Sequence, residues 1–285
     1  MFIDKVRQLN LVRKVYHSLP LALRNSFRTR LYHCYLNWRV RPSVFSARYH
    51  GKGAVQYTVI VPCYNVAQYI DDFVVSLTSQ ALDFKNKIKC IFVDDGSTDN
   101  TKEIIQKWVK KYSSNFSYIY KENGGLSSAR NRGLDFVTTG WVTFIDPDDL
   151  IDRNYFKEVD DFIQSQSSQG VCLVNCHHVY YYESSGLIKD THPLSFRFRF
   201  KKKFCVKEIP DIGEKIILSA CTSFFRADLI KKQKLQFPTD VKPHFEDGFL
   251  ISKFLLENLD KKVAYLRDAI YYYRKREAKS SLIDT

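Results

Sequence analysis

An alternation of short apolar strands and helices between residues 57 and 146 constrains the fold more than any other feature of this sequence. The strand segments are TVIVP (58–62), KCIFVDD (89–95) and WVTFID (141–146), and the helical segments are residues 67–82, 102–112 and 126–137. Strands that are apolar without a break are typical of a parallel sheet with helices on both faces. The pattern therefore predicts an α/β fold with its functional residues at the carboxyl ends of the strands.

The second half of the chain is less regular. Strands are predicted near residues 171–182, 196–204 and 270–273, and helices near 209–218 and 246–258. In SFRFRFKKKF (195–204), Phe alternates with Arg before three Lys, which predicts a strand with one aromatic and one cationic face. Such a strand is either a sheet edge protected by charge or a surface for an anionic acceptor or lipid.

Composition excludes several classes of protein. With 285 residues, 45% of them hydrophobic and 15% aromatic, the chain has ample apolar surface for a core, so it is not a disordered protein. No run approaches the roughly 18 apolar residues of a membrane span, and the first 20 residues lack the apolar stretch of a signal peptide. The seven Cys are odd in number and irregularly spaced, which predicts reduced, buried thiols in a cytoplasmic protein.

The positive charge is concentrated at the N-terminus. Of a net charge of +13, residues 1–50 supply ten Lys and Arg against one acid, which leaves 34 against 30 for residues 51–285. A body so nearly neutral argues against nucleic acid as a partner. Apolar residues three to four apart predict that residues 1–52 form a basic amphipathic helical extension, which either lies on an anionic membrane surface or packs on the body.

Two acidic clusters follow strands of the predicted sheet. Asp94 and Asp95 end the second strand, where a carboxylate can accept hydrogen bonds from a nucleoside, although an ordinary strand-to-helix loop would have the same residues. Asp146, Asp148 and Asp149 lie within four residues at a later strand end, and their mutual repulsion calls for a cation. Oxygen ligands of this kind suit Mg²⁺ or Mn²⁺ that bridges phosphates.

Other segments have both a functional and a structural interpretation. Gly125, before the helix LSSARNRGL, would let a nucleotide approach closely, although the Gly-Lys-Ser/Thr of a P-loop is absent. The pair Glu246 and Asp247 is either catalytic or a favourable acidic helix start. The basic residues of YYYRKR (271–276) either contact a diphosphate or form a solvated chain end. The residues expected in the core or at its edge rather than at a metal site are Cys172, Cys176, His177 and His178.

Six motifs occur in a fixed order along the chain. They are VIVPCYN (59–65), VDDGSTDNT (93–101), NGGLSSARNRGL (123–134), FIDPDDLI (144–151), FEDGFL (245–250) and YYYRKR (271–276). Together they resemble family 2 of the inverting nucleotide-sugar glycosyltransferases, which have the GT-A fold, and in particular the members that build bacterial surface polysaccharides. The resemblance covers residues 56–282 and implies one Rossmann-like, mostly parallel sheet flanked by helices.

The resemblance also implies that different parts of the chain bind the donor and the acceptor. A nucleotide-sugar-binding half (53–150) and an acceptor-binding half (151–285) would follow the helical extension (1–52). The residues implied to bind the donor nucleotide are Pro62, Tyr64, Asp94, Asp95, Gly125, Arg130 and Asp146. Asp146 and Asp148 match the D-x-D signature that holds Mn²⁺ or Mg²⁺, and Asp247, with Glu246 beside it, matches the catalytic base.

The implied activity is metal-dependent transfer of a sugar, with inversion, from a nucleotide sugar to a saccharide or lipid-linked saccharide of a surface or capsular polysaccharide. UDP is the nucleotide used by most relatives with this acid pattern. The implied location is the cytoplasm, with peripheral attachment to the inner face of the membrane through residues 1–50. Two alternatives stay open: a non-catalytic module that binds lipid or polyanions, and a sugar-phosphate nucleotidyltransferase, whose Gly-rich basic loop is replaced here by PCYNVAQY (62–69).

Overall fold

The computed structural model describes residues 56–193, 195–213, 216–240 and 245–276. Ten strands formed by these residues lie in one sheet, with helices on both faces. The helical extension predicted for residues 1–52 lies outside the described residues, so it stays a prediction, as do the domain boundaries. No helix within the described ranges is both long and apolar enough to cross a membrane.

The strands and helices of the described residues alternate in the first half of the chain, as expected from the sequence, and are less regular in the second half. The strands are β1 (Tyr57–Cys63), β2 (Ile88–Asp94), β3 (Phe116–Tyr120), β4 (Trp141–Phe144), β5 (Leu150–Ile151), β6 (Val171–Tyr182), β7 (Leu187–Lys189), β8 (Phe204–Glu208), β9 (Ser223–Arg226) and β10 (Lys262–Lys275). The helices are α1 (Ala67–Thr78), α2 (Phe84–Lys87), α3 (Thr101–Lys111), α4 (Leu126–Leu134), α5 (Tyr155–Ile163), α6 (Ala227–Lys232) and α7 (Glu246–Leu256).

The order of the strands brings the carboxyl ends of six strands, β1 to β4, β6 and β10, to one edge of the sheet. The order is β3, β2, β1, β4, β9, β6, β10 and β5, with β7 paired to β6 and β8 paired to β10. Strands β1, β2, β3 and β4 are parallel to one another, and β6 is parallel to β10. Strand β9 runs antiparallel between β4 and β6, so those two strands point the same way. The expected α/β fold with a mostly parallel central sheet is confirmed, with β9 antiparallel inside the sheet and β5, β7 and β8 antiparallel to the strands they join.

Two apolar layers hold the helices on the sheet. Successive residues of β1 point to opposite faces, as the two-residue period of a strand requires, so Val59 and Val61 pack in one layer and Ile60 in the other. Helices α1, α3 and α5 cover the first face, and α4, α6 and α7 cover the second. A core on both faces explains why the strands of the first half are apolar without a break.

Helix α4 lies unusually close to the sheet. A Cβ atom added at Gly133 would be 2.4 Å from Cγ2 of Ile60 on β1, a separation that real Cβ atoms do not reach. Glycine at this position therefore lets the helix contact the strand directly. The close contact fixes the two functional candidates on or before this helix, Gly125 and Arg130, beside the carboxyl end of β1.

Two sequence predictions in the second half are wrong. The strand expected at 196–204 is a short 3₁₀ helix (Ser195–Phe198) and a turn, and strand β8 begins only at Phe204. Where the helix was expected at 209–218, the described residues form a 3₁₀ turn at Ile209–Asp211 and are not helical at 216–218. The physical reason for the first error is tertiary: Phe198 is buried and stacks on His177, and the guanidinium of Arg267 binds two carbonyls of the turn.

The cysteines agree with the expectation of reduced thiols. Each of the six cysteines among the described residues is a free thiol, and five of the six are buried. Burial raises the pKa of the Cys90 thiol well above its ordinary value, so this group stays protonated and behaves as a small apolar side chain.

Candidate active site

The loops after β1 and β2 are tied together by one asparagine. Asn65 adopts a left-handed conformation (φ 52°), which asparagine tolerates better than most residues, and its Oδ1 accepts hydrogen bonds from the backbone N–H groups of Thr98 (2.8 Å) and Asp99 (3.3 Å). Pro62 is buried at the end of β1, whereas the side chain of Tyr64 is 52% exposed. The structure therefore presents one aromatic ring to solvent beside the β1 carboxyl end.

Asp94, the first residue of the first acidic pair, holds the turn after β2 in place. Asp94 is buried, and its two carboxylate oxygens accept hydrogen bonds from the backbone N–H of Ser97 (2.8 Å) and the hydroxyl of Tyr118 (2.7 Å). These bonds fix the turn that follows β2. The alternative of a structural strand-to-helix loop therefore accounts for both contacts of Asp94.

Asp95 binds the glycine loop that precedes α4. Its Oδ2 accepts a hydrogen bond from the backbone N–H of Gly125 (2.7 Å), and its Oδ1 accepts from the N–H of Gly124 (3.1 Å) and from the Lys121 ammonium (2.5 Å). Gly125 has φ +86°, a conformation that a residue with a Cβ rarely adopts, and there is open space where its Cβ would be. The predicted nucleotide residues Asp95 and Gly125 are thus in direct contact.

Arg130 joins three of the predicted site residues. This side chain on α4 is 2% exposed, and its Nη1 donates to Asp247 Oδ1 (2.7 Å) and Glu246 Oε1 (3.2 Å), while Nη2 donates to Asp146 Oδ1 (3.2 Å). Its guanidinium also lies over the ring of Phe237, 5.2 Å from the ring centre. Acidic residues from two distant motifs therefore meet at one buried cation.

The second oxygens of two of these carboxylates are also bound. Asp247 Oδ2 accepts a hydrogen bond from the backbone N–H of Ala220 (2.8 Å), and Asp146 Oδ2 accepts from the Sγ–H of Cys221 (3.2 Å). Cys221 is buried, and its sulfur also accepts a hydrogen bond from Arg130 (3.4 Å). These two contacts could not be predicted from the sequence, because Ala220 and Cys221 are apolar residues with no chemical motif around them.

Burial and charge act in opposite directions at this cluster. Burial alone would lower the pKa of the Arg130 guanidinium, but the surrounding carboxylates, Asp247 above all, raise it well above its ordinary value. Burial raises the pKa of Asp247, and the charges of Glu246 and Asp146 add to that rise, while Arg130 and the Ala220 N–H oppose it. The guanidinium therefore stays charged, and Asp247 is a stronger base than an exposed aspartate.

The other two acids of the FIDPDDLI motif contact the end of β10. The carboxylate of Asp148 forms an ion pair with the Arg276 guanidinium. Asp149 is buried and accepts hydrogen bonds from the hydroxyl of Tyr271 (2.6 Å) and the backbone N–H of Arg274 (2.8 Å). Burial, with the neighbouring Asp148 and Asp146 charges, raises the pKa of Asp149 well above its ordinary value. Asp149 thus holds this loop against β10.

Arg274 is a buried structural cation, whereas the sequence predicted either a contact with a diphosphate or a solvated charge. Its side chain is 1% exposed, and it forms ion pairs with Glu183 (3.0 Å) and Asp72 (3.1 Å). Its Nε also donates to the backbone oxygen of Asp148 (2.5 Å). Arg274 therefore joins β10, the end of β6 and α1 behind the D-x-D loop, whereas Arg276 contacts the D-x-D carboxylate of Asp148.

The D-x-D carboxylates have the chemistry of a divalent metal site that needs further ligands. No group of three or more His, Cys, Asp or Glu side chains in the described part of the chain is arranged to hold a metal ion. Burial, and then the charge of Asp146, raise the pKa of Asp148, and Arg276 opposes this rise. A further cation nearby would therefore stabilise the charged form of this carboxylate. Two carboxylates fit Mg²⁺ or Mn²⁺ when phosphates supply other ligands.

Known proteins are similar in sequence to this chain. The profile of glycosyl transferase family 2 matches residues 58–232, more than half of the chain. The minor teichoic acid biosynthesis protein GgaB of Bacillus subtilis is 31% identical over 229 residues, which are 80% of this chain and 24% of GgaB. The poly(ribitol-phosphate) beta-N-acetylglucosaminyltransferase TarS of Staphylococcus aureus is 29% identical over 230 residues, which are 78% of this chain and 36% of TarS. The chain thus spans about a quarter to a third of these relatives.

A solved structure supports the same assignment. The crystal structure of TarS 1-349 in complex with UDP-GlcNAc matches with a TM-score of 0.62 at 26% identity, over 79% of this chain and 60% of that one. This likeness confirms the GT-A fold that the ordered motifs implied. From the family profile and the shared fold, we conclude that this chain belongs to glycosyl transferase family 2.

Proposed function

We propose that this chain is a metal-dependent inverting glycosyltransferase. It would move a sugar from a UDP-linked donor to a saccharide or lipid-linked saccharide acceptor in the synthesis of a surface polymer such as a capsular polysaccharide. One observation carries the proposal: the buried Arg130 binds Asp146 of the D-x-D motif together with Glu246 and Asp247, which lie 100 and 101 positions later in the chain. The relatives named for teichoic acid synthesis and the TarS complex with UDP-GlcNAc support the polymer and the nucleotide.

The donor nucleoside would lie over the carboxyl ends of β1 and β2. Asp95 accepts one hydrogen bond at Oδ2, and a carboxylate oxygen has a second lone pair that can accept a base N–H. The exposed ring of Tyr64 offers a surface on which a base can stack, with Pro62 behind it. Asp94 would act indirectly, because its described contacts hold the turn in place. Arg130 would act beneath the nucleotide, through the carboxylates it binds.

Asp146 and Asp148 would hold Mg²⁺ or Mn²⁺ together with the diphosphate of the donor. The metal, when bound, would neutralise the charge that develops on the departing nucleoside diphosphate. Arg276 now pairs with Asp148, and its reach to that carboxylate also places it near a bound diphosphate. A guanidinium forms strong bidentate contacts with phosphate, so this residue would add a second positive charge there.

Asp247 would take the proton from the attacking hydroxyl of the acceptor. Its raised pKa strengthens it as a base, and each of its oxygens retains a lone pair beyond the bonds to Arg130 and Ala220. Glu246 is more deeply buried and shares the same guanidinium, so it would support Asp247 rather than contact the acceptor. One base without a partnered nucleophile predicts direct displacement and inversion at the anomeric carbon.

A thermal-shift screen tests the donor site. The full chain is heated with Mn²⁺ and UDP, GDP, CDP, ADP or dTDP, and again with EDTA; a ligand at about 100 times its Kd stabilises by roughly 2.7 kcal/mol. We expect a shift with UDP that EDTA abolishes. The variant Asp247→Asn should retain this shift and lose sugar transfer by at least about 100-fold, within the usual contribution of a general base. A variant that transfers sugar at the normal rate would refute the role of Asp247.

The same preparations test attachment to the membrane. The basic excess of residues 1–50 supports a peripheral position at the inner face of the cell membrane. We expect the full chain to float with vesicles that contain phosphatidylglycerol and not with vesicles of phosphatidylcholine alone. Flotation without any nucleotide-dependent shift would instead favour the non-catalytic lipid-binding alternative.

A further inference from the structure

The positive charge of the body is concentrated in one short segment away from the candidate active site. Residues 196–208 contain six Lys and Arg against one Glu. Because residues 51–285 have 34 basic and 30 acidic residues in total, the rest of this region has 28 against 29. The whole excess of positive charge in the body therefore belongs to this segment, which comprises the 3₁₀ turn Ser195–Phe198, the turn after it and β8.

The segment lines two adjoining cavities of about 610 and 350 Å³. Both have Phe200 and Lys201 in their walls, so they adjoin at these two residues, and we call the two together the cationic groove. Lys202 and Lys262 line the larger cavity, and Arg199 and Arg267 line the smaller. Cavities of this size are typical of ligand sites rather than of packing defects.

Lys262 and Arg267 pair with Glu208 (3.2 Å) and Asp268 (3.0 Å), but two lysines of the groove have no such partner among the described residues. Lys201 and Lys202 are exposed, and neither has a carboxylate within ion-pair distance among the residues that the structure describes. Their neighbour Lys203 has a single distant pair with Glu158, at 3.8 Å. Like charges held together on the surface without counter-charges repel one another, and a bound anion would relieve that repulsion.

The backbone of the groove is held in place before any ligand binds. Arg267 donates to the carbonyl oxygens of Phe200 (3.1 Å) and Lys201 (3.3 Å), which closes the turn that carries the lysines. The buried ring of Phe198 stacks on His177 on β6 and anchors the other end of the turn. A shape fixed in this way costs less conformational entropy on binding than a flexible basic tail would.

The groove extends along the strands toward the candidate active site. In the register of β10 with β6, Lys262 at one end of the groove lies opposite Val171 at the start of β6. His177, in the wall of the smaller cavity, lies opposite Ile270 of β10. Ile270 is four residues, about 13 Å, from Arg274 behind the D-x-D loop. The lining therefore begins near the far end of β6 and approaches the carboxyl edge where the acidic cluster lies.

We propose that the cationic groove binds a polyanionic stretch of the acceptor polymer, one that carries phosphodiester groups, at a distance from the hydroxyl that receives the sugar. The inference rests on the proposed function, because it assigns the groove to the acceptor of that reaction. A long acceptor could occupy the groove and the active site at the same time. Binding at one of these places would raise the effective concentration of the polymer at the other. A concave, walled groove suits a chain of phosphates better than a membrane, which binds a flat or convex basic surface with exposed apolar side chains.

The test measures binding of fluorescein-labelled linear polyphosphate to the full chain by anisotropy at low salt. We expect the variant Lys201→Glu/Lys202→Glu to bind at least about tenfold more weakly than the unaltered protein. The matched control is Lys107→Glu/Lys110→Glu on α3, which changes the net charge equally at two exposed lysines outside the groove. The control should stay within about twofold of the unaltered protein. Tripolyphosphate, too short to span the groove, should compete poorly.

Three outcomes would overturn the proposal. Equal loss in both double variants would show general attraction by net charge, and an absence of polyphosphate binding by the unaltered protein would remove the site. Loss of binding to phosphatidylglycerol vesicles in the groove variant, with polyphosphate binding intact, would assign the groove to lipid. The UDP and Mn²⁺ thermal shift, measured on the same samples, reports the donor site separately, so failure of the proposed function is distinguishable from failure of the groove.

Discussion

Replacement of Arg130 by methionine tests whether this buried guanidinium is the counter-charge of the acidic cluster. Methionine keeps most of the apolar stem and removes the five N–H donors and the charge. In the variant, Asp146, Glu246 and Asp247 would lose the cation that each contacts within 3.2 Å. Glu246 and Asp247 would then lie side by side without the guanidinium that joins them.

The expected cost follows from the burial of the pairs. The Arg130 side chain is 2% exposed and those of Glu246 and Asp247 are 8% and 16% exposed, so solvent screens these pairs poorly. Removal of one partner from a buried ion pair typically costs about 3–5 kcal/mol. For a chain of this size, 1 kcal/mol shifts Tm by about 2–4 °C, so we expect Tm to fall by roughly 6–20 °C at pH 7.5.

The loss should be smaller in acid. Asp247 already has a raised pKa from burial, and removal of Arg130 would raise it further, so the folded variant would bind a proton that the unfolded chain does not yet bind. The stability deficit of Arg130→Met relative to the unaltered protein should therefore shrink as the pH falls from 7.5 to 5.5. Arg132→Met is the matched control, because Arg132 lies on the same helix in an exposed pair with Asp135. Its Tm should change by no more than about 2 °C.

Urea and thermal unfolding of both variants, followed by circular dichroism at the two pH values, give the result. Equal stability of Arg130→Met and the control at pH 7.5 would refute the counter-charge argument. A deficit that is the same at both pH values would show that packing, rather than charge, holds Arg130 in place.

Three further predictions concern separate parts of the molecule. Gly133→Ala should destabilise by about 1–3 kcal/mol in urea unfolding, because its Cβ would overlap Ile60, and it should be neutral or stabilising in an Ile60→Ala background; an equal cost in both backgrounds would contradict the close contact. Burial, and then His192, lower the pKa of His178 to about 3, so the unfolded chain gains its proton first on acidification. Between pH 7 and 4.5 the unaltered protein should lose about 2–3 kcal/mol more than His178→Asn, and parallel pH curves would refute this. Asp148→Asn should abolish the Mn²⁺-dependent part of the UDP thermal shift, whereas an undiminished shift would exclude Asp148 as a metal ligand.

The polarity of the strands explains why much of the candidate site could be predicted from the sequence. Residues that directly follow parallel strands meet at one sheet edge, so Asp95 after β2 and Asp146 after β4 could be placed there without coordinates. The left-handed glycine was predictable in the same way, since Gly125 stands directly before the helix. Local sequence contains all the information that these placements need.

The contacts of Arg130 could not be predicted because they depend on how distant helices dock. Its partners Glu246 and Asp247 begin α7, more than 100 residues later, and no local pattern states which face of that helix meets α4. Cys221 is less predictable still, because an apolar residue between strands has no spacing that indicates a hydrogen bond to Asp146. Tertiary packing likewise outweighed local pattern at Phe198, whose alternation with arginine has the period of a strand.

Two guanidinium groups bind the acidic site, and their different anchorage determines what each can do. Arg130 is buried on a helix that Gly133 holds against β1, so it cannot leave its carboxylates without moving the helix, and it sets their positions. Arg276 stands at the end of β10 with its side chain 22% exposed, and it pairs with Asp148 at the mouth of the site. In the proposed donor complex, in which Asp148 would help to hold a metal, Arg276 could leave this pair and bind the diphosphate. The fixed arginine therefore suits the proposed base Asp247, whose position it sets, and the more exposed Arg276 suits the proposed contact with the diphosphate of a donor that binds and leaves.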